Sequence, residues 1–151
     1  MNDENLGPTG AICYDLPSPY IPHSATGLLH LPRFIAKIRK DLKGELPTSY
    51  QRNFCRGFDR FLCLHLGVDP EDVIKLVRET GDDEVALDNK LLALFPEDCR
   101  AAKWNRELVQ KGMSEMGQEA LQKAKESMHA GNRTDIISFA DVLDLDEGRI
   151  P

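Results

Sequence analysis

The amino-acid sequence predicts an all-α protein: one compact domain of about six helices behind an extended, proline-rich N-terminal arm. Three observations predict it. From Leu31 onward, apolar residues recur three and four positions apart, the period of an amphipathic helix. No stretch sustains the apolar–polar alternation, rich in β-branched residues, that a half-buried strand requires. Glycine, proline and acidic punctuation separates the periodic segments by short connections, which favours neighbouring antiparallel helices.

In chain order, residues 1–27 carry Pro8, Pro17, Pro19 and Pro22 with Gly7, Gly10 and Gly27. Four prolines exclude a helix and a central strand. This arm is expected to run extended and partly disordered, loose over its first dozen residues. Tyr14, Leu16, Tyr20 and Ile21 are available to pack on the helical domain of residues 28–151. Pro32 suits the opening turn of a first helix, Leu31, Phe34, Ile35, Ile38 and Leu42 form its apolar face, and Gly44 stops it. A second helix is expected from about Arg52 to Leu66, with Phe54, Phe58, Phe61, Leu62 and Leu66 on one stripe. His65 projects into that stripe, Cys63 away from it, and Cys55 and Asp59 fall on its margin. Asp69 caps a third helix that Pro70 opens, and Glu71 and Asp72 suit the positive end of its dipole. A fourth begins at Asp82 or Asp83 and ends near Leu94. A fifth opens at Glu97 and Asp98 and reaches about Met116, weakened at Gly112 and broken at Gly117. A sixth runs from Gln118 to about His129. Ser138 is placed to cap a short terminal helix that carries Phe139, Val142, Leu143 and Leu145.

The chain of 151 residues holds 19 basic and 25 acidic side chains, for a net charge of −6. Between Leu31 and Arg60, eight Lys/Arg meet only three acids, so this segment carries +5 and the remainder −11. The overall acidity argues against nucleic acid and anionic membranes as partners. No apolar run is long enough to span a bilayer, and the first residues lack a basic region followed by an apolar one, so no membrane span and no secretory signal are expected. Cys13, Cys55, Cys63 and Cys99 have no zinc-like or redox spacing and read as reduced thiols in a cytoplasmic protein.

Arg33, Lys37 and Lys40 line up on the face of the first helix opposite its apolar stripe. They read as a solvated outer face, with an anion site as the alternative. Asp59, at the margin of an aromatic helix, needs a partner against desolvation, and Arg33, Arg39 or Tyr50 is available. Cys55 as a nucleophile with His65 as base fails, because ten helical residues separate them by about 15 Å; His30 is the other candidate base. No metal set, phosphate loop or hydrolase elbow is present, so no cofactor is implied.

The segment Leu28–Arg39, then Gly44, Tyr50, Cys55 to Asp59, and Leu66-Gly-Val-Asp69, resembles a bacterial family catalogued as domain of unknown function 5069. The tail Leu143-Asp-Leu-Asp-Glu-Gly-Arg149 is similar to its longer members. Ala36 stands where that family has an aspartate, and the arm lacks its usual arginine. The resemblance implies no activity, but it singles out Arg33, Lys37, Arg39, Tyr50 and Asp59 as one polar cluster beside the first helix pair.

Two functional readings follow. The first is a non-catalytic binding or interaction module. Its partner is a small anion, an acidic protein surface or a second copy of the chain in a homo-oligomer. The second is an enzyme acting on a small anionic substrate at Asp59: Asp59 is base or orienter, Tyr50 the acid, and Arg33 and Lys37 hold the substrate. It ranks second because no recognised catalytic constellation accompanies it.

Overall fold

The computed structural model describes residues 6–7 and 10–151, so much of the arm segment expected to be loose lies outside the described residues. Helices dominate. The strands are β1 (Leu6–Gly7) and β2 (Gly10–Ala11), a two-stranded antiparallel pair with Leu6 opposite Ala11. The helices are α1 (Leu31–Leu42), α2 (Thr48–Gln51), α3 (Phe58–Leu66), α4 (Pro70–Thr80), α5 (Glu84–Leu94), α6 (Ala101–Gln110), α7 (Glu115–Ser127) and α8 (Phe139–Asp146). Beyond the expected six are α8, the short helix expected after Ser138, and the single turn α2, which was not expected.

Helix starts follow their side chains. Asp69, Asp83, Ser114 and Ser138 each cap a helix by accepting a backbone N–H two or three residues on, meeting one of the donors left open at a helix start. The expected helix over 52–66 forms only from Phe58. Before it, Cys55 and Gly57 hold φ of 60° and 55°, so residues 52–57 make a turn-rich loop instead. The fifth segment ends at Gln110, not Met116. Gly112 turns the chain there with φ 102°, a conformation that suits glycine, and a Cβ would meet the Phe139 ring and backbone at 3.2 and 3.3 Å. Gly117, the expected break, lies inside α7.

The core is built on α1. Leu31, Phe34, Ile35 and Ile38 are buried with Leu62 and Leu66 of α3, Val73 and Val77 of α4, Leu87 and Leu91 of α5, and Trp104 and Leu108 of α6. α4 packs on α1 and α5, α3 touches α1, α4 and α6, and α8 rests on α6 and α7. Cys63, expected to point outward, is buried. Phe61, expected in the core stripe, is 44% exposed, with the Lys111 ammonium 4.1 Å above its ring.

The arm is held by polar groups as well as by packing. Leu16 and Cys13 are buried with Leu46 and Tyr50 in a satellite cluster against Ala36, whereas Tyr14 and Ile21 stay exposed. The Trp104 indole N–H donates to the Leu29 carbonyl at 2.8 Å, and the Asn105 amide accepts from Leu29 N–H at 2.9 Å and donates to the Gly27 carbonyl at 3.0 Å. Asn105 therefore ties α6 to the end of the arm at Gly27, and Trp104 ties the core to the residues that follow it. Trp104→Ala is expected to lower stability to urea by about 3–5 kcal/mol. Val85→Ser, on an open face of α5, should change it by less than about 0.5 kcal/mol.

Candidate functional site

α1 is buried on both sides. Opposite its apolar stripe, His30, Arg33 and Lys37 recur at helical spacing, and all three are almost fully buried. The expectation that Arg33 and Lys37 form a solvated face is therefore corrected. Helical projection gives the direction of that face but not what covers it, and the cover comes from the arm, the 52–57 loop and α8. Lys40, further along, is half-buried and pairs with Asp15 of the arm at 2.8 Å.

Two carboxylates meet these cations. Asp59 lies in the first turn of α3, where the helix dipole favours a negative charge. Its Oδ1 accepts from His30 Nε2 at 2.6 Å. Its Oδ2 accepts from Lys37 Nζ at 2.7 Å and from the Cys55 backbone N–H at 2.9 Å. Lys37 also donates to the Asn53 carbonyl at 3.3 Å. The carboxylate thus gathers the 52–57 loop around itself.

The second carboxylate is Glu147, at the end of α8, where the dipole disfavours a negative charge. Arg33 offsets this with a bidentate pair, Nη1 to Oε1 at 2.7 Å and Nη2 to Oε2 at 2.6 Å. The Tyr50 hydroxyl donates to Oε2 at 2.7 Å and Arg149 to Oε1 at 2.7 Å. Arg33 also holds the Pro17 carbonyl at 3.1 Å, and Arg149 the Leu16 carbonyl, so one network ties the arm to the C-terminal segment.

Of the five residues expected in one cluster, four lie in these two adjoining networks, but not in the expected pairs. Arg33 and Tyr50 serve Glu147, while Lys37 serves Asp59. Arg39 is not among them: it lies elsewhere on α1 and pairs with Glu84 at 2.6 Å. The sequence reading missed His30 as Asp59's partner and Glu147 as Arg33's. His30 was legible, since it shares the i, i+3, i+7 spacing with Arg33 and Lys37. Glu147 is 114 residues from Arg33, and only the resemblance of the tail pointed to it.

Between α1, the 52–57 loop, α3 and α8 lies a cavity of about 300 Å³. Its polar wall includes His30, Arg33, Lys37, Tyr50, Asp59 and Glu147. Its apolar wall includes Phe58, Phe61, Met128, Phe139, Val142 and Leu143, and Arg52 and Arg56 of the loop line it as well. The size, the apolar majority and the converging polar groups are those of a small-molecule site. Among the described residues no group of His, Cys, Asp and Glu is placed to hold a metal ion.

The charges follow from the contacts. Burial opposes ionisation of Asp59, but the His30 hydrogen bond and the Lys37 charge outweigh it and hold its pKa below 3.8. Burial likewise opposes the charge on Glu147, and Arg33, Tyr50 and Arg149 hold it below 4.5. Complete burial pushes His30 below 6.5, against the pull of Asp59 and with the repulsion of Lys37 and Arg33, so the ring is neutral. Burial and the neighbouring Glu147 raise Tyr50, which keeps its proton. Burial and the Asp59 charge push the Cys55 thiol up to about 11, so it is no thiolate nucleophile.

A family model for a domain of unknown function matches residues 17–149, most of the chain. The chain belongs to the domain of unknown function 5069 family. No curated protein and no solved structure matches it. The match to this family covers the side chains of both buried networks, from His30 to Arg149.

Asp59, Glu147 and His30 each have a folded-state pKa below the ordinary value. The unfolded chain therefore takes up protons first on acidification, and stability falls as pH falls. The loss begins near the ordinary His value of 6.5 and steepens below the ordinary Glu value of 4.5. Urea unfolding from pH 8 to 4 should show that decline, and in His30→Gln the part above about pH 5 should flatten.

Proposed function

We propose that the protein is a non-catalytic binding module whose cavity takes a small amphipathic anion. One observation supports this above the others. Of the cavity's three carboxylates, the buried Asp59 and Glu147 are each matched by cations of the protein and Asp146 is half-buried, whereas Arg52 and Arg56 form no ion pair among the described residues. Two uncommitted guanidinium groups beside an apolar wall suit a ligand with a carboxylate or phosphate at one end and a hydrocarbon body at the other. A small anion is favoured over an acidic protein surface or a second copy of the chain, because these arginines border a concave space.

The four unbridged cysteines support a reducing, cytoplasmic setting, and no helix among the described residues is long and apolar enough to cross a membrane. The family resemblance supports a bacterial source. The enzyme reading keeps one specific support, the His30–Asp59 pair in the cavity wall. In that reading Asp59 orients His30, and Arg33 and Lys37 are already committed to carboxylates, so substrate charge falls to Arg52 and Arg56.

The test compares 3-phenylpropanoate with 3-phenylpropylamine by calorimetric titration and thermal shift. The anion should bind and stabilise the fold, by about 2.7 kcal/mol at a hundred times its Kd. The amine should do neither, and the double variant Arg52→Gln, Arg56→Gln should lose the anion while keeping the unliganded melting temperature. No binding of the anion, or equal binding of the amine, contradicts the proposal.

A further inference from the structure

His30, a residue that lines the cavity, has a buried ring nitrogen with no hydrogen-bond partner among the described residues. His30 is 1% exposed, and its Nδ1 makes no hydrogen bond. The residue stands at the start of α1 with φ 73°, a backbone conformation that residues with side chains seldom adopt and that recurs at functional sites. Its Nε2 faces Asp59 Oδ1 at 2.6 Å. An ionised carboxylate only accepts, so Nε2 carries the hydrogen, and the other nitrogen of a neutral ring is then an acceptor. The two ring nitrogens point in diverging directions, so Nδ1 is turned away from Asp59.

The groups around the ring leave that acceptor unmet. From α3, Asp59 takes Nε2, and the Phe58 ring sits edge-on at 5.4 Å between centroids. From α1, Lys37 donates to Asp59 and to the Asn53 carbonyl, and Arg33 to Glu147 and the Pro17 carbonyl. Buried acceptors in folded proteins are nearly always satisfied. His30 lines the cavity, which is the open space beside the ring.

We infer that His30 Nδ1 is a recognition point, and that the cavity selects small anions that also carry a hydroxyl or N–H group to donate to it. This rests on the cavity being the ligand site, and it narrows the ligand class from amphipathic anions to those with a second, neutral donor. Complete burial disfavours the charged form of the ring, and Lys37 and Arg33 add to this, which leaves Nδ1 an acceptor.

The experiment measures calorimetric affinities of three acids: 3-phenylpropanoate, 3-phenyllactate with its hydroxyl beside the carboxylate, and 3-(4-hydroxyphenyl)propanoate with its hydroxyl at the far end. At least one hydroxylated acid should bind about tenfold more tightly than the parent, the worth of one hydrogen bond. That gain should vanish in His30→Gln, which keeps a donor toward Asp59 and removes the second nitrogen. Independently of whether that variant folds, the favoured acid should shift the Nδ1 signal in spectra of protein carrying ¹⁵N-labelled histidine, and 3-phenylpropanoate should not. If both hydroxylated acids bind like the parent and leave the Nδ1 signal in place, the inference is wrong while the cavity proposal stands, and a water molecule is the partner of Nδ1. If none of the three acids binds, the cavity proposal fails and this inference fails with it.

Discussion

The structure depends on the burial of two carboxylates against one face of one helix. Asp59 and Glu147 are both withdrawn from water, and a buried ion is tolerated only when charge and hydrogen bonds replace its hydration. His30 and Lys37 do this for Asp59, and Arg33, Tyr50 and Arg149 for Glu147. Asp59 belongs to α3 and Glu147 to the end of α8, so meeting their needs brings the middle and the end of the chain onto α1. The arm joins through carbonyls of residues 16 and 17.

The cavity is what this arrangement leaves open. α1 is committed on both sides, with Phe34 and Ile38 in the core and Arg33 and Lys37 in the ion networks, so it has little freedom to shift. The 52–57 loop is held by the Cys55 N–H on Asp59 and the Asn53 carbonyl on Lys37. Arg52 and Arg56 are therefore carried on a loop that the network itself fastens. A binding site whose charged groups are already positioned loses less entropy when a ligand arrives. The same network separates the cations that border the cavity: buried Arg33 and Lys37 neutralise the protein's own acids, whereas exposed Arg52 and Arg56 form no ion pair among the described residues.

Much of the fold was legible because helix punctuation is local chemistry. Asp69 with Pro70, Asp83, Ser138 and the stripe from Leu31 to Ile38 act within a turn or two of their own positions, and the structure uses each as the sequence suggests. Errors arose where distant residues decide the outcome. The cations of α1 looked solvated because nothing near them in sequence announces the acid that covers them. The helix expected over 52–66 has a continuous aromatic period, yet Cys55 and Gly57 take positive φ and the Cys55 N–H bonds to Asp59 instead of continuing a helix. Gly112 and Gly117 look alike in sequence, but only Gly112 meets the Phe139 ring at the point where the chain must turn. At the site, the resemblance to family members named the right stretch of chain, and the partners came only from the folded geometry.

Arg33 and Glu147 act as a unit that holds the C-terminal segment onto α1. A double-mutant cycle by urea unfolding tests this most directly, with Arg33→Met, Glu147→Gln and the two combined. Glu147→Gln leaves the Arg33 charge buried without its carboxylate, and Arg33→Met takes from Glu147 its bidentate partner; each should cost about 3–5 kcal/mol, and the combined variant should cost less than the sum by at least about 2 kcal/mol. If the two effects add to within about 0.5 kcal/mol, the residues are not coupled, and their pairing is not what fastens the end of the chain to α1.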